Sequence, residues 1–209
     1  LMSIGRGAQA TITSQIGGIG TNLLFVQPGA TLMESDFAAM QGRSTLTLDD
    51  AEAVANPYNC PSVVAVAPEV DSIVKVVAGN RDMTTMITGV TPEYEYVRNS
   101  SLAYGEFVSE RHIKSRSMVC VLGNHAAEYL FQGGNPLGHR VKLDGLPFEV
   151  IGVLESRGSG AGGAMSIIMD DIIIAPITTV QSRLLKQRTA KGSWEIHSIS
   201  VQVSDEGQL

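Results

Sequence analysis

The chain has 209 residues, 44% of them hydrophobic and 17% charged, which is enough to bury one large core or two small ones. With 21 Asp and Glu against 15 Lys and Arg the formal net charge is -6, and no basic cluster supplies the concentrated positive face that a nucleic-acid partner needs. Cys60 and Cys120 belong to no Cys/His cluster, which leaves a metal site without support, and their spacing leaves open whether they pair.

Taken in chain order, Ile4, Ala8, Ile12, Ile16 and Ile19 recur at helical spacing and predict an amphipathic helix over residues 2–19. Gly17, Gly18 and Gly20 then stop it, because glycine adopts the left-handed conformation that commonly closes a helix. "NLLFVQPG" reads as a buried strand ended by Pro28-Gly29. Thr47 with Asp50 resembles a capping box, opening a helix over Leu48, Ala51 and Val54 that Asn56-Pro57 ends. "SVVAVAPEV" is a second strand, so residues 22–70 form a strand, helix, strand unit.

Residues 72–78 and 83–90 are β-branched and predict two further strands about a "GNRD" turn, after which "TPEYEYVRN" changes composition and suggests a subdomain boundary. "SMVCVLG" is a buried strand, and Asn124 is placed to cap a helix carrying Ala127, Leu130 and Phe131. "HRVKLDGLPFEVIGVLES" has the alternation of a hairpin turning at Asp144-Gly145. After the glycine-rich "RGSGAGGA" come an apolar strand in "DDIIIAP" and a helix begun by Pro176, with Val180, Leu184 and Leu185 along it and Lys186 and Arg188 near its end. His197, Ile199, Val201 and Val203 alternate with polar residues in a last strand.

Two stretches fit the dinucleotide fingerprint. "GRGAQA", residues 5–10, lacks a preceding strand; "GSGAGG", residues 158–163, follows one but is not succeeded by a phosphate-capping helix or by an acidic residue about 20 positions on. No Walker A run exists, no serine sits in a nucleophile elbow, and His112, His125, His139 and His197 are scattered without metal-ligand spacing. Asp49-Asp50 fall in a helix's first turn, where negative charge is favourable, and Asp170-Asp171 flank a strand. Catalytic, cofactor and metal residues are therefore none.

Six blocks in order, "SIGRGAQATITSQIGGIGTNLLFVQPG", "LTLDDAEAVAN" with "VAPEV", "ITGVTPEY", "VCVLGNHAAEYLF", "NPLGHRVKLDGLPFEVIGVL" and "DDIIIAPITTVQSRL", resemble the MacB-type periplasmic core domain of ABC-transporter permeases, a superfamily that includes FtsX-like and lipoprotein-releasing members. The resemblance implies an α+β fold: a porter-like βαβ subdomain from residues 1–91 and 193–209, its second βαβ unit cut short, and an inserted Sabre-like α/β subdomain over 92–192. It implies that the opening helix continues a transmembrane helix. Gly5, Gly7, Gly18, Gly20, Thr21 and Asn22 then shape the helix start and the helix-to-strand turn rather than a phosphate site. The implied partners are a cytoplasmic ABC ATPase, a second permease copy and a membrane-fusion adaptor, with no cofactor and with this domain on the extracytoplasmic side of the cell membrane. The competing reading is a soluble nucleotide-binding enzyme using a glycine loop; a free-standing binding protein is the third.

Overall fold

A computed structural model describes residues 22–28, 46–156, 170–185 and 192–204. The expected helix over 2–19, both glycine fingerprints, and Lys186 and Arg188 lie outside them. In chain order the elements are β1 (Leu23–Val26), α1 (Leu48–Ala55), β2 (Val63–Ala78), β3 (Arg81–Val90), α2 (Tyr94–Val97), β4 (Leu102–Gly105), α3 (Glu110–Ser115) and β5 (Val119–Leu122). There follow α4 (Asn124–Phe131), β6 (Arg140–Leu143), β7 (Leu146–Leu154), β8 (Ile173–Pro176), α5 (Ile177–Thr179), a π-helical turn Val180–Leu185, and β9 (Ser198–Val203). Among the described residues no helix is long and apolar enough to cross a membrane.

Local chemistry accounts for most boundaries. The Asp50 carboxylate accepts from the Thr47 backbone N–H at 2.8 Å while the Thr47 hydroxyl accepts from Asp50, so α1 begins with a complete capping box. Asp144 and Gly145, at φ 47° and 83°, supply the two left-handed residues that a tight β6–β7 hairpin needs. Helix α4 departs from expectation: Gly123, not Asn124, is its N-cap. The Gly123 N–H donates to the Ile172 carbonyl at 2.8 Å, and that close approach to the chain before β8 leaves no room for a side chain.

The two strands expected over 62–70 and 72–78 are a single strand, β2, of 16 residues. Asp71-Ser72 contains neither Gly nor Pro to turn the chain, and the backbone there stays extended because it finds partners: the Asp71 N–H donates to His197 Nδ1 at 3.0 Å. The following turn is also tighter than expected, only Gly79 and Asn80, with Ala78 opposite Arg81 and Gly79 at φ 58°. The helix expected from Pro176 is one α turn that widens into the π-helical turn, with Pro176 as its N-cap. Strand β4 and helices α2 and α3 had no counterpart among the elements expected from sequence.

Nine strands pair into a sheet in which six close on themselves. Strand β2 pairs antiparallel with β3, β3 parallel with β8, β8 antiparallel with β5, β5 parallel with β7, β7 antiparallel with β6, and β6 antiparallel with β2 again. Side-chain alternation agrees all the way round, since Val76, Ile87, Ile173, Leu122, Val150 and Leu143, one from each strand, are buried in one core. Ala127 and Leu130 of α4 and Val180 of the π turn join that core. A second apolar cluster lies on the outer side, where Tyr94 and Val97 of α2 with Phe107 cover Ala65, Val90, Val121 and Ile174.

Two strands extend the ring beside the first half of β2. β9 pairs antiparallel with β2 from Val63 to Glu69, and β1 pairs antiparallel with β9. β1 and β2 are therefore parallel with β9 between them, the expected strand, helix, strand unit with one strand inserted. β1 is not the fully buried strand that its apolar run suggests: Leu24 and Phe25 are 43% and 50% exposed, and among the described residues the strand is paired on one side only. Strands from both sides of residue 91 share the ring, through β3 with β8 and β2 with β6.

Packing inside the ring leaves no slack at Gly89, where a Cβ would meet Val70 Cγ1 at 2.7 Å and Val180 Cβ at 2.9 Å. Gly89→Ala is expected to destabilise the protein by about 1–3 kcal/mol, because both neighbours are β-branched and locked in the core. Urea denaturation followed by far-ultraviolet circular dichroism measures it; an unchanged midpoint would mean that the π turn gives way freely.

Candidate coupling junction

Glu69 and Glu195 are the buried carboxylates among the described residues, and the first of them marks a junction in the strand order. Glu69 stands in an otherwise apolar stretch of β2, where the strand changes neighbours: it is opposite Ser198 at the start of β9 and opposite Val90 at the end of β3. Pro68 is tolerated in mid-strand for the same reason. Its missing N–H points to the β3 side, where β3 has already ended, so no ladder hydrogen bond is lost.

The Glu69 carboxylate accepts a hydrogen bond from the Ser200 hydroxyl of β9, and Arg98, just after α2, brings its Nε to 3.7 Å from the same Glu69 oxygen, Oε1. The Arg98 guanidinium lies over two rings, 4.9 Å from the centroid of Phe25 in β1 and 5.8 Å from that of Tyr94 in α2. Tyr94 in turn stacks on Phe107 with centroids 6.5 Å apart. One cation and one anion thus connect β1, β2, β9 and α2. Burial raises the Glu69 carboxyl above its ordinary 4.5, partly offset by Arg98 and the Ser200 hydrogen bond.

A second set of contacts adjoins the first. The His197 N–H donates to the Glu69 carbonyl at 2.8 Å, its Nδ1 accepts from the Asp71 N–H, and the Asp71 carboxylate accepts from the Thr88 hydroxyl at 2.6 Å. Because Nδ1 is an acceptor here, the neutral ring carries its proton on Nε2. Asp144 does the same at the other end of this stretch, its Oδ1 accepting from the Lys75 N–H at 2.9 Å. Side chains therefore stand in for strand partners in the gap between β9 and β6 along β2.

Elsewhere the singled-out residues fall into separate roles. Asp49 and Asp50 lie in the first turn of α1. Asp170 and Asp171 serve the approach to β8: Asp170 accepts from the Ser156 hydroxyl at 2.9 Å, and Asp171 pairs with His125 Nδ1 at 2.5 Å. The bond to Asp171 raises the His125 imidazole above its ordinary 6.5. His112 is buried in α3 with Nδ1 3.1 Å from the Ser109 hydroxyl, and His139 lies beside Phe131. Cys60 and Cys120 are both free thiols, and burial pushes that of Cys120 up. Among the described residues no group of three His, Cys, Asp or Glu could hold a metal.

Of the residues expected to shape the helix start and turn, Gly5, Gly7, Gly18, Gly20 and Thr21 lie outside the described residues. Asn22 is described, and its carbonyl accepts from the Val203 N–H at 2.9 Å, carrying the β1–β9 pairing one residue further. The Glu69, Arg98 and Ser200 contact was missed. Its signal was present in "VAPEV", where a carboxylate inside an apolar strand requires a partner.

Among the described residues, a closed strand ring carries a charged seam whose contacts tie β1, β2, β9 and α2 together. Residues 1–209 match the family described as the MacB-like periplasmic core domain. The chain belongs to that family, the extracytoplasmic domain of ABC-transporter permeases. It is 36% identical over 187 residues to the macrolide export ATP-binding/permease protein MacB of Syntrophobacter fumaroxidans, covering 88% of this chain and 25% of that protein. Over all of this chain and 29% of the relative it is 33% identical to the protein of the same name from Azoarcus sp.. The chain therefore spans between a quarter and a third of these relatives' length.

Among solved structures it is similar to the periplasmic region of MacB from Actinobacillus actinomycetemcomitans, with a TM-score of 0.69 and 26% identity over 91% of this chain and 78% of that one. It shares a fold with the extracellular domain of the transporter YknZ from Gram-positive bacteria, with a TM-score of 0.67 and 18% identity over 90% and 86% of the two chains. The reading as a soluble nucleotide-binding enzyme finds no support among these relatives.

Three expectations follow from the charges. Glu69→Ala removes the partner of a mostly buried Arg98 and is expected to cost about 2 kcal/mol by urea denaturation. The folded state holds the Glu69 proton more tightly than the unfolded chain does, so the carboxyl contributes most below pH 4.5 and less as pH rises through its folded value. Glu69→Gln is expected to flatten that fall in a pH series of unfolding curves. For His125 the raised value acts in the same direction over a higher window: its stabilisation is complete below pH 6.5 and lost as pH rises through the folded value. The pair is largely exposed, so His125→Gln should remove only about 0.3–0.5 kcal/mol at pH 5.5 and almost nothing at pH 9.

Proposed function

We propose that this domain is the extracytoplasmic relay of an export permease, passing motion of the membrane helices on to a step outside the membrane without catalysing a reaction itself. What carries the reading is that two relatives whose names join an ATP-binding part to a permease part match 88% and 100% of this chain. In the whole protein a cytoplasmic ABC ATPase drives the cycle, a second permease copy completes the membrane unit, and a membrane-fusion adaptor receives the cargo. The relatives' names include macrolide export, and cargo of that bulky amphiphilic kind is the substrate class proposed for the whole protein.

Within this reading, residues 1–91 with 193–209 are the porter-like part next to the membrane and 92–192 are the Sabre-like part beyond it. Residues 2–19 form the lever, a helix continuous with a membrane span, and Gly17-Gly18 mark its hinge. The remaining glycines, Gly5, Gly7 and Gly20, with Thr21 and Asn22, serve backbone geometry at the two ends of that helix.

The full-length protein in liposomes tests it. Replacing this domain by a flexible linker is expected to leave ATP hydrolysis within about twofold while export of a macrolide falls by about tenfold or more. Undiminished export would remove the relay role. Gly17→Ala with Gly18→Ala is expected to cut export at unchanged ATP hydrolysis, and an unaffected rate would remove the hinge.

A further inference from the structure

We propose that the six-stranded ring opens and moves as one body, and that the contact of Ser200, Glu69 and Arg98 is the latch that holds the β1–β9 pair to it. The inference concerns the fold's mechanics and goes beyond the transport reading. It also cuts across the division at residue 91, since β2 and β3 come from one side of it and β5 to β8 from the other.

The first half rests on closure. In an open sheet two groups of strands part by breaking one ladder. In a ring they part only by breaking two at once and exposing the interior between them. To separate the β2–β3 hairpin from β5 to β8, the parallel pairing from Ile87 opposite Ile173 to Val90 opposite Pro176 must break together with the pairing of Val76 and Val77 to Leu143 and Lys142. Either rupture would bring Ile87, Phe148 and Leu143, all buried, toward water. The ring's ends add to this, because Leu130 of α4 and Val180 of the π turn pack into the same core. Residues 92–192 thus lack two of the strands that enclose their own core.

The second half rests on where the ring stops. The first half of β2 runs out of it, and there β9 pairs with β2 along a single ladder ending at Glu69 opposite Ser198. β1 is held by β9 alone among the described strands. At that ladder's end the Glu69 carboxylate binds Ser200 of β9 on one side and faces Arg98 on the other, and Arg98 covers the Phe25 ring of β1. His197 adds a main-chain and a side-chain bond across the same seam. Strands that peel away from the ring have to begin by breaking these contacts.

Native-state hydrogen exchange on the chain, read residue by residue with increasing denaturant, tests both halves. The expected result is one shared opening for the core amides of β2 beyond Glu69, of β3 and of β5 to β8. In Glu69→Ala, which removes the acceptor of Ser200 and the group facing Arg98, and in the milder Ser200→Ala, the β1 and β9 amides are expected to exchange about tenfold faster while ring amides change by less than about twofold. Opening of β5 to β8 while β2 and β3 stay protected would overturn the single body. Equal acceleration of β9 and the ring, or no acceleration of β9 in either variant, would overturn the latch.

Discussion

Strand β2 has to satisfy two neighbourhoods with one backbone, and the rest of the architecture follows from how it does so. Its first half has β9 beside it, its second half has β6, and β3 lies along the opposite edge from Glu69 onward. A strand with different partners along one edge has a break in its ladder, and every N–H and carbonyl in that break needs a substitute. The imidazole of His197 and the carboxylate of Asp144 supply it at the two ends, one accepting from Asp71 and the other from Lys75. That arrangement lets the chain pass from a flanking sheet into a closed ring without a turn.

Placing a carboxylate at this changeover is costly in isolation and informative for the same reason. Burial raises the Glu69 carboxyl, so desolvation outweighs the help of Arg98 and Ser200. An apolar residue there would be easier to bury, but it would tolerate β9 one residue out of register as readily as in register. A carboxylate does not: a slip of one residue turns Ser200 to the other face of the sheet and leaves the charge without its hydroxyl. On this argument the junction contributes alignment of β1 and β9 on β2 more than net stability.

Local chemistry was legible in the sequence and pairing was not. The capping box of Thr47 and Asp50, the Asp144-Gly145 hairpin, and the strands in "SMVCVLG" and "DDIIIAP" could be read because each depends on residues close together in the chain. The family resemblance reached further, and the α+β class and the permease context rest on it together with the relatives. Closure of the ring depends on β2 meeting β6 and β3 meeting β8, contacts between residues far apart, on which periodicity is silent. The break inferred in β2 was wrong because a polar pair resembles a loop locally, whereas a distant histidine keeps it extended. Likewise the apolar run of β1 suggested burial on both faces, while its edge position exposes Phe25 beneath an arginine that no local pattern could place there.

Among the described residues the core of the ring is filled by apolar side chains. The proposed relay role would need parts held in fixed relation, and close-packed apolar side chains do that in every direction without depending on protonation. Val76, Ile87, Leu122, Leu143 and Ile173 fill the ring, and even the thiol within it, Cys120, is pushed up by burial toward the neutral, unreactive form. A buried carboxyl is placed at the seam, where a contact has to be specific and still separable, because its hydrogen bond from the Ser200 hydroxyl is directional while apolar packing is not. A ring without a free edge and a flank held along one ladder therefore divide the labour: the first resists deformation, and the second is where deformation can begin.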